Sequence, residues 1–171
     1  MDAVGAFFAG GGAVQFVRDY AAAGLRAKLP LCGSGFLTEG TLKAQGDAAE
    51  GVQTALHYGD GLDNAKNTAF RFGYLAKAGR EADVYAVQGY DAGQLLAAGL
   101  DGVKGDLDAD KALFAAMRGA RIDSPRGRFT LSAGHSPVQN IYLREARGGQ
   151  NKVIGVAAAD LADPGTGCKL A

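Results

Sequence analysis

Several things are scarce in this sequence, and each scarcity excludes a class of protein. Its 171 residues contain no tryptophan, two cysteines, two histidines and four prolines. Cys32 and Cys168 are too few for a disulfide framework and lack the C-x-x-C spacing of a zinc or redox site. Cys32, at the end of an apolar strand, reads as a small buried hydrophobe. Cys168, in a Gly/Pro-rich tail, is open to three readings: a thiol, a bridge to Cys32, or a bridge to a partner. No H-E-x-x-H, EF-hand pattern or His/Cys cluster accompanies the histidines, so neither a metal site nor a cofactor is expected. Net charge is also missing, because eighteen basic and eighteen acidic side chains cancel. No field of one sign recruits nucleic acid or an anionic membrane, which leaves a small molecule as the better ligand. No apolar run approaches the ~20 residues that span a bilayer. No basic-then-apolar leader opens the chain, so an export signal would lie outside it.

Glycine, by contrast, is abundant at 27 residues, and it is concentrated where the opening elements end. An apolar strand from Ala3 to Phe8 runs into Gly10-Gly11-Gly12 and an amphipathic helix. In that helix Ala13, Val14, Phe16, Val17, Tyr20, Ala21 and Leu25 keep helical spacing, and Gly24 is a natural stop. A second strand, Leu29 to Cys32, leads into Gly33-Ser34-Gly35-Phe36. This strand–turn–helix–strand unit builds parallel sheets, whose ligands sit outside the carboxyl ends of the strands. The unit starts at residue 2, which reads as an entry into the middle of a fold.

Thr38 to Gly46 reads as a loop with one helical turn, and Val52 to Tyr58 as a further strand. Gly59-Asp60-Gly61 is the first strong break. Asp63 or Asn64 then caps a helix to about Lys77 with Ala69, Phe72, Leu75 and Ala76 on one face. A second helix spans roughly Val84 to Val103. A third, from near Asp108, is expected to bury Leu113, Phe114 and Met117. Arg128 to Ser132 is a short strand, and Val138 to Arg147 alternates, with Val138, Asn140, Tyr142 and Arg144 on one side. Gly148-Gly149-Gln150-Asn151 is a hairpin turn to a returning strand, Lys152 to Ala157. The tail from Asp160 has no periodicity.

Few residues have the spacing of a catalytic motif. Gln15 stands where a dinucleotide fingerprint needs its third glycine, and no Gly-Lys-Ser/Thr completes a P-loop. The glycine run therefore leaves two readings: exposed helix N–H groups that suit an anion, or a tight turn needing positive φ. Ser34 follows a strand as a nucleophile would, but Cys32 and Phe36 occupy the glycine positions of G-x-S-x-G. His57 reads as a packed core residue and His135 as a turn residue. Arg118, Arg121, Arg126 and Arg128 read as a solvated basic turn, without the stacking aromatics of a nucleic-acid site. Tyr85 and Tyr90, flanking Gln88 at the start of the second long helix, suit a small-molecule pocket, with helix core packing the competing reading for at least one of the tyrosines.

Taken together, Asp2-Ala3-Val4 with Phe7 to Gly11, Pro30 to Phe36, Gln45 to Val52, Asp83 to Asp91, Asp123 to Gly127 and Pro137 to Tyr142 resemble one family. It is the branched-chain amino acid (Leu/Ile/Val) type of ABC importer substrate-binding protein, with the type I periplasmic binding fold. The most specific matches are G-D-A-A-E-G-V and Y-A-V-Q-G-Y-D. The resemblance implies a partial α/β fold: the carboxyl-terminal lobe plus crossing helices of the amino-terminal lobe. Residues 1–59 would be part of the second lobe, 60–136 a crossing segment with helices of the first, and 137–171 a returning hairpin and tail. It also implies a periplasmic, non-enzymatic protein that closes around ligand in an interlobe cleft and delivers it to a membrane permease. By position the ligand contacts would be Phe8, Ala9, Gly10, Ser34, Gly35, Phe36, Tyr85 and Gln88. The family's amino acid binders use a tyrosine and a glutamate where this chain has Ala9 and Gly35. A ligand ammonium would then lack its counter-charge, so an aromatic or other organic carboxylate fits better. The chain alone is expected to bind weakly. Two other readings remain: an α/β hydrolase-like enzyme using Ser34 or Cys32 with a histidine, and the ligand-sensing domain of a regulator. Exposed sheet edges make homodimerisation a further expectation.

Overall fold

The computed structural model describes residues 1–169. The chain divides into two compact units, Met1–Leu62 with Ile141–Ala157, and Asp63–Asn140 with the chain from Ala158.

The first unit is a mixed sheet with helices. Its strands are β1 (Val4–Ala6), β2 (Leu31–Ser34), β3 (Gln53–Leu56) and the later part of β5 (Pro137–Arg147), side by side in that order. β1, β2 and β3 are parallel, with Gly5 opposite Cys32 and Cys32 opposite Gln53; β5 runs antiparallel, with Thr54 opposite Arg144. β2 starts two residues later than its apolar pattern suggests. The Leu29 amide donates to the Leu25 carbonyl, closing a turn, so the strand begins only after Pro30. Helix α1 (Gly10–Ala22) buries Ala13, Val17 and Tyr20, the i, i+4, i+7 positions read from the sequence. They pack with Leu31, Leu37, Leu42, Ala49, Val52 and Ala146. Burying a valine such as Val17 fully stabilises by about 1.5–3 kcal/mol. The segment after β2 makes a 3₁₀ turn, then α2 (Leu42–Gln45), then a second 3₁₀ turn before β3. β6 (Gln150–Leu161) returns from β5 through a two-residue turn, Gly148-Gly149. Both residues have positive φ, which a two-residue hairpin of this twist requires. The turn is therefore two residues shorter than the four-residue signal.

The second unit is mainly helical: α3 (Ala65–Ala78), α4 (Val84–Gly102) and α5 (Asp110–Gly119). Asn64 caps α3 by accepting from the Asn67 amide, and Asp83 caps α4 by accepting from the Ala86 amide. Gly99 and Gly102 let α4 lie close against Met117 and Ala116 of α5, where a Cβ would meet atoms at 2.5 Å. β4 (Thr130–Leu131) pairs with the first residues of β5. Ala69, Phe72, Leu75 and Ala76 share one side of α3, as expected, and that side is exposed, while Asn67, Phe70, Arg71 and Tyr74 turn inward. Phe114 of α5 is 64% exposed rather than buried.

Candidate functional site

The carboxyl ends of β1 and β2 meet at one edge of the first unit's sheet, as parallel pairing requires. Phe7 and Phe8 follow β1, and Phe36 lies in the 3₁₀ turn after β2. The Phe7 and Phe36 rings meet edge to face, with centroids 6.3 Å apart and planes at 77°. Phe7 is 70% exposed and Phe36 43%. An edge-to-face pair left open to water is a preformed aromatic wall. Phe8 instead stacks on Phe16 of α1 at 4.5 Å, which fixes the helix against the strand end.

Ala9 is the N-cap of α1 and contributes no side-chain cap. Gly10 opens the helix at φ +54, a conformation in which a side chain would be strained. Gly10 thus has the positive φ that one reading of the glycine run requires, and no side chain caps the helix start. Between Ala3 and Val17, and again between Leu31 and Thr38, no side chain is charged.

The loop carrying Phe36 is held from beneath by Arg144, which is fully buried. Its Nη1 donates to Glu39 Oε2 at 2.7 Å and to the Tyr58 carbonyl at 2.9 Å. Its Nη2 donates to the Gly35 carbonyl at 3.3 Å, and both Nε and Nη2 reach Thr54 Oγ1. Every face of the guanidinium is thus engaged, which is what makes a buried arginine tolerable. Asn151 supports the same loop: its Oδ1 accepts from the Thr38 hydroxyl at 2.6 Å. Glu39 is the one acid between Leu31 and Gln45, and it is buried against Arg144. Arg144, Glu39 and Phe7 were not singled out from sequence. The signal was available for Arg144, which shares an alternating strand face with Tyr142; for Phe7 it was only adjacency to Phe8.

Gly33 and Gly35 flank Ser34 for steric reasons. A Cβ on Gly33 would lie 2.6 Å from the Ala6 carbonyl oxygen, and one on Gly35 would lie 2.6 Å from Leu56. Ser34 Oγ is buried and makes no hydrogen bond, so the nucleophile–base contact of the hydrolase reading is absent there. His57 lies just beyond β3 in the same unit. His135 belongs to the other unit, in a turn at φ +63. Neither Cys32 nor Cys168 is in a disulfide.

Tyr85 and Gln88 belong to the second unit, in the first turns of α4, with Tyr85 53% exposed. The eight residues picked from sequence therefore divide into six at the strand ends of one unit and two on a helix of the other. The basic stretch is corrected at one position. Arg126 is buried, its Nε 2.7 Å from Asp91 Oδ2 and its guanidinium 4.2 Å from the Phe129 ring centre. A counter-charge and a π face replace the water it gives up. Arg118, Arg121 and Arg128 are exposed. Among the described residues no group of acidic, histidine or cysteine side chains could hold a metal. No described helix is long and apolar enough to cross a membrane.

Comparison with known proteins adds to this geometry. The family described as "Periplasmic binding protein" matches residues 1–151. A Leu/Ile/Val-binding protein homolog 6 from Brucella abortus is 33% identical over 135 residues, which is 76% of this chain and 34% of the relative. A solute binding protein of an ABC transporter from R. palustris, solved in complex with benzoate, is 54% identical. It matches 99% of this chain and 46% of its own, with a TM-score of 0.90. Another, from Rhodopseudomonas palustris BisB5 in complex with 3,4-dihydroxy benzoic acid, is 32% identical with a TM-score of 0.82, covering 96% of this chain and 47% of its own. The chain thus spans about a third of the curated relative and about half of each solved one.

Proposed function

We propose a function from one premise: the chain belongs to the periplasmic binding protein family, of the branched-chain amino acid type. It is part of the solute-binding component of an ABC importer, acts in the periplasm, and passes its ligand unchanged to a membrane permease. The ligand is an aromatic carboxylate. The observation that carries this reading is the open Phe7–Phe36 pair at the carboxyl ends of β1 and β2. The charge distribution supports it. Glu39 is the only nearby carboxylate on the β2 loop and is committed to Arg144, so nothing there balances the ammonium of an amino acid. A buried amine without a counter-charge is costly. A carboxylate, in contrast, is suited to the uncapped amino terminus of α1. The benzoate and dihydroxybenzoate found in two similar solute binding proteins are of this chemical class.

Phe7 and Phe36 form the wall against the ring, Ala9 and Gly10 leave room for the carboxylate, and Ser34 and Gly35 set the loop. Phe8 braces the strand end, and Tyr85 and Gln88 are proposed as further ligand contacts. Isothermal titration with benzoate, with Phe7→Ala and Phe36→Ala compared to the unaltered chain, tests the reading. Each substitution is expected to weaken binding by about tenfold, the worth of one aromatic contact, without moving the unfolding midpoint. Leucine bound more tightly than benzoate would refute it.

A further inference from the structure

The exposed Phe114 of α5 lines a cavity of about 500 Å³ within the second unit. That volume lies in the range of small-molecule pockets, about 300–1,000 Å³. Leu95 of α4, Met117 of α5 and Leu131 of β4 line it too, and all three are half-buried. The close approach of α4 and α5 seats Met117, because a Cβ on Gly99 would lie 2.5 Å from Met117 Cγ. The remaining side is a turn with His135 at φ +63. The His135 amide donates to the Ser132 carbonyl at 3.0 Å, and the Ser132 amide to the Ser136 carbonyl at 2.8 Å, so this wall is held by its own backbone. The polar side chains of the lining are Lys111, Arg118 and His135, with no acid beside them among the described residues. Lys111, Phe114 and Arg118 recur at i, i+3 and i+7 and share one face of α5. The ion pairs of this unit use Lys66, Arg71, Arg80, Arg126 and Arg128, and leave Lys111 and Arg118 unpaired among the described residues.

We propose that this cavity binds a carboxylate carried on an aliphatic chain, at a site separate from the ends of β1 and β2. Charge selects the head group: two unpaired cations without a neighbouring acid suit an anion, and a carboxylate accepts charge-assisted hydrogen bonds from both. The lining selects the body. Leu95, Met117 and Leu131 are aliphatic, and the unbranched thioether of Met117 adapts to a flexible chain. The methylene stems of Lys111 and Arg118 add apolar surface beneath their charges. Burial selects a small molecule over a membrane. The aliphatic side chains are recessed between α4, α5 and β4, whereas an interfacial helix inserts apolar groups that protrude. The proposal does not depend on the ligand held at Phe7 and Phe36, which lie in the other unit.

The test titrates the isotope-labelled 171-residue chain with octanoate and follows its amides by NMR. Saturable shifts are expected at Lys111, Phe114, Arg118 and His135, with an affinity on the order of millimolar. Octylammonium, the same chain with the opposite charge, is expected to shift none of them. Acetate, the charge without the chain, is expected to bind at least about tenfold more weakly. The double variant Lys111→Glu with Arg118→Glu is expected to weaken octanoate about tenfold while leaving the helical circular dichroism unchanged. Phe114→Ser, at an exposed position, is expected to weaken it severalfold, and Lys77→Glu, on α3 outside the cavity, to leave it unaltered. The proposal is overturned if octylammonium shifts the four residues equally, or if the charge-reversed chain binds octanoate as tightly. Octanoate shifts at none of the four also overturn it, and sedimentation with phosphatidylglycerol vesicles in that case assigns the face to an anionic bilayer.

Discussion

Arg144 Nη1 and Glu39 Oε2 lie 2.7 Å apart with almost no solvent access to either side chain, joining β5 to the loop that carries Phe36. Replacing Arg144 with methionine strands the Glu39 carboxylate in the interior. An expected loss of about 3–5 kcal/mol follows, read as a lower urea midpoint at unchanged slope. The double variant Arg144→Met with Glu39→Leu should recover part of that loss, because the stranded charge goes too. A single variant as stable as the unaltered chain would mean that the pair does not hold the loop.

Two glycines should respond in opposite directions to alanine. At Gly35 the new Cβ would meet Leu56 at 2.6 Å, and overpacking there is expected to cost about 1–3 kcal/mol. Gly73, inside α3, has nothing within 4 Å of such a Cβ. There alanine is expected to be neutral or to stabilise by up to about 1 kcal/mol through helix propensity. Thermal unfolding of both variants checks the contrast, and equal shifts would contradict it.

Glu145 titrates below its ordinary value of 4.5 because the Arg147 guanidinium donates to it, which outweighs partial burial. Stability from this lowered carboxyl is present above about pH 4.5 and is lost as pH falls through the folded value. The pair is partly exposed, so its share of global stability is small and weakened by salt. A carbon NMR titration should place the Glu145 midpoint below 4.5 and show it rising in Arg147→Ala. An unchanged midpoint would rule out Arg147 as the cause.

Much of the first unit was legible in the chain because its signals are local. The α1 stripe, the β5–β6 hairpin and the alternation through Tyr142 and Arg144 follow from spacing alone, and glycine marked both strand ends. What was not legible depends on distant partners. Nothing near Arg126 in sequence announces Asp91, and nothing near Arg144 announces Glu39. Each is buried because a remote carboxylate meets it. The α5 face misled because Phe114 has the spacing of a buried position yet is exposed, and spacing does not say which side of a helix meets a neighbour. Phe8 is a ligand contact only by the family resemblance; spacing does not say which of two adjacent aromatics α1 will meet, and it is Phe8 that stacks on Phe16.

Residue-by-residue NMR titration of the isotope-labelled chain with benzoate asks most directly whether the ends of β1 and β2 grip an aromatic acid. Expected are saturable shifts at Phe7, Gly10 and Phe36 with an affinity on the order of millimolar, and none with leucine. Benzoate shifts confined to other residues, or leucine shifts of equal size at these three, would contradict it.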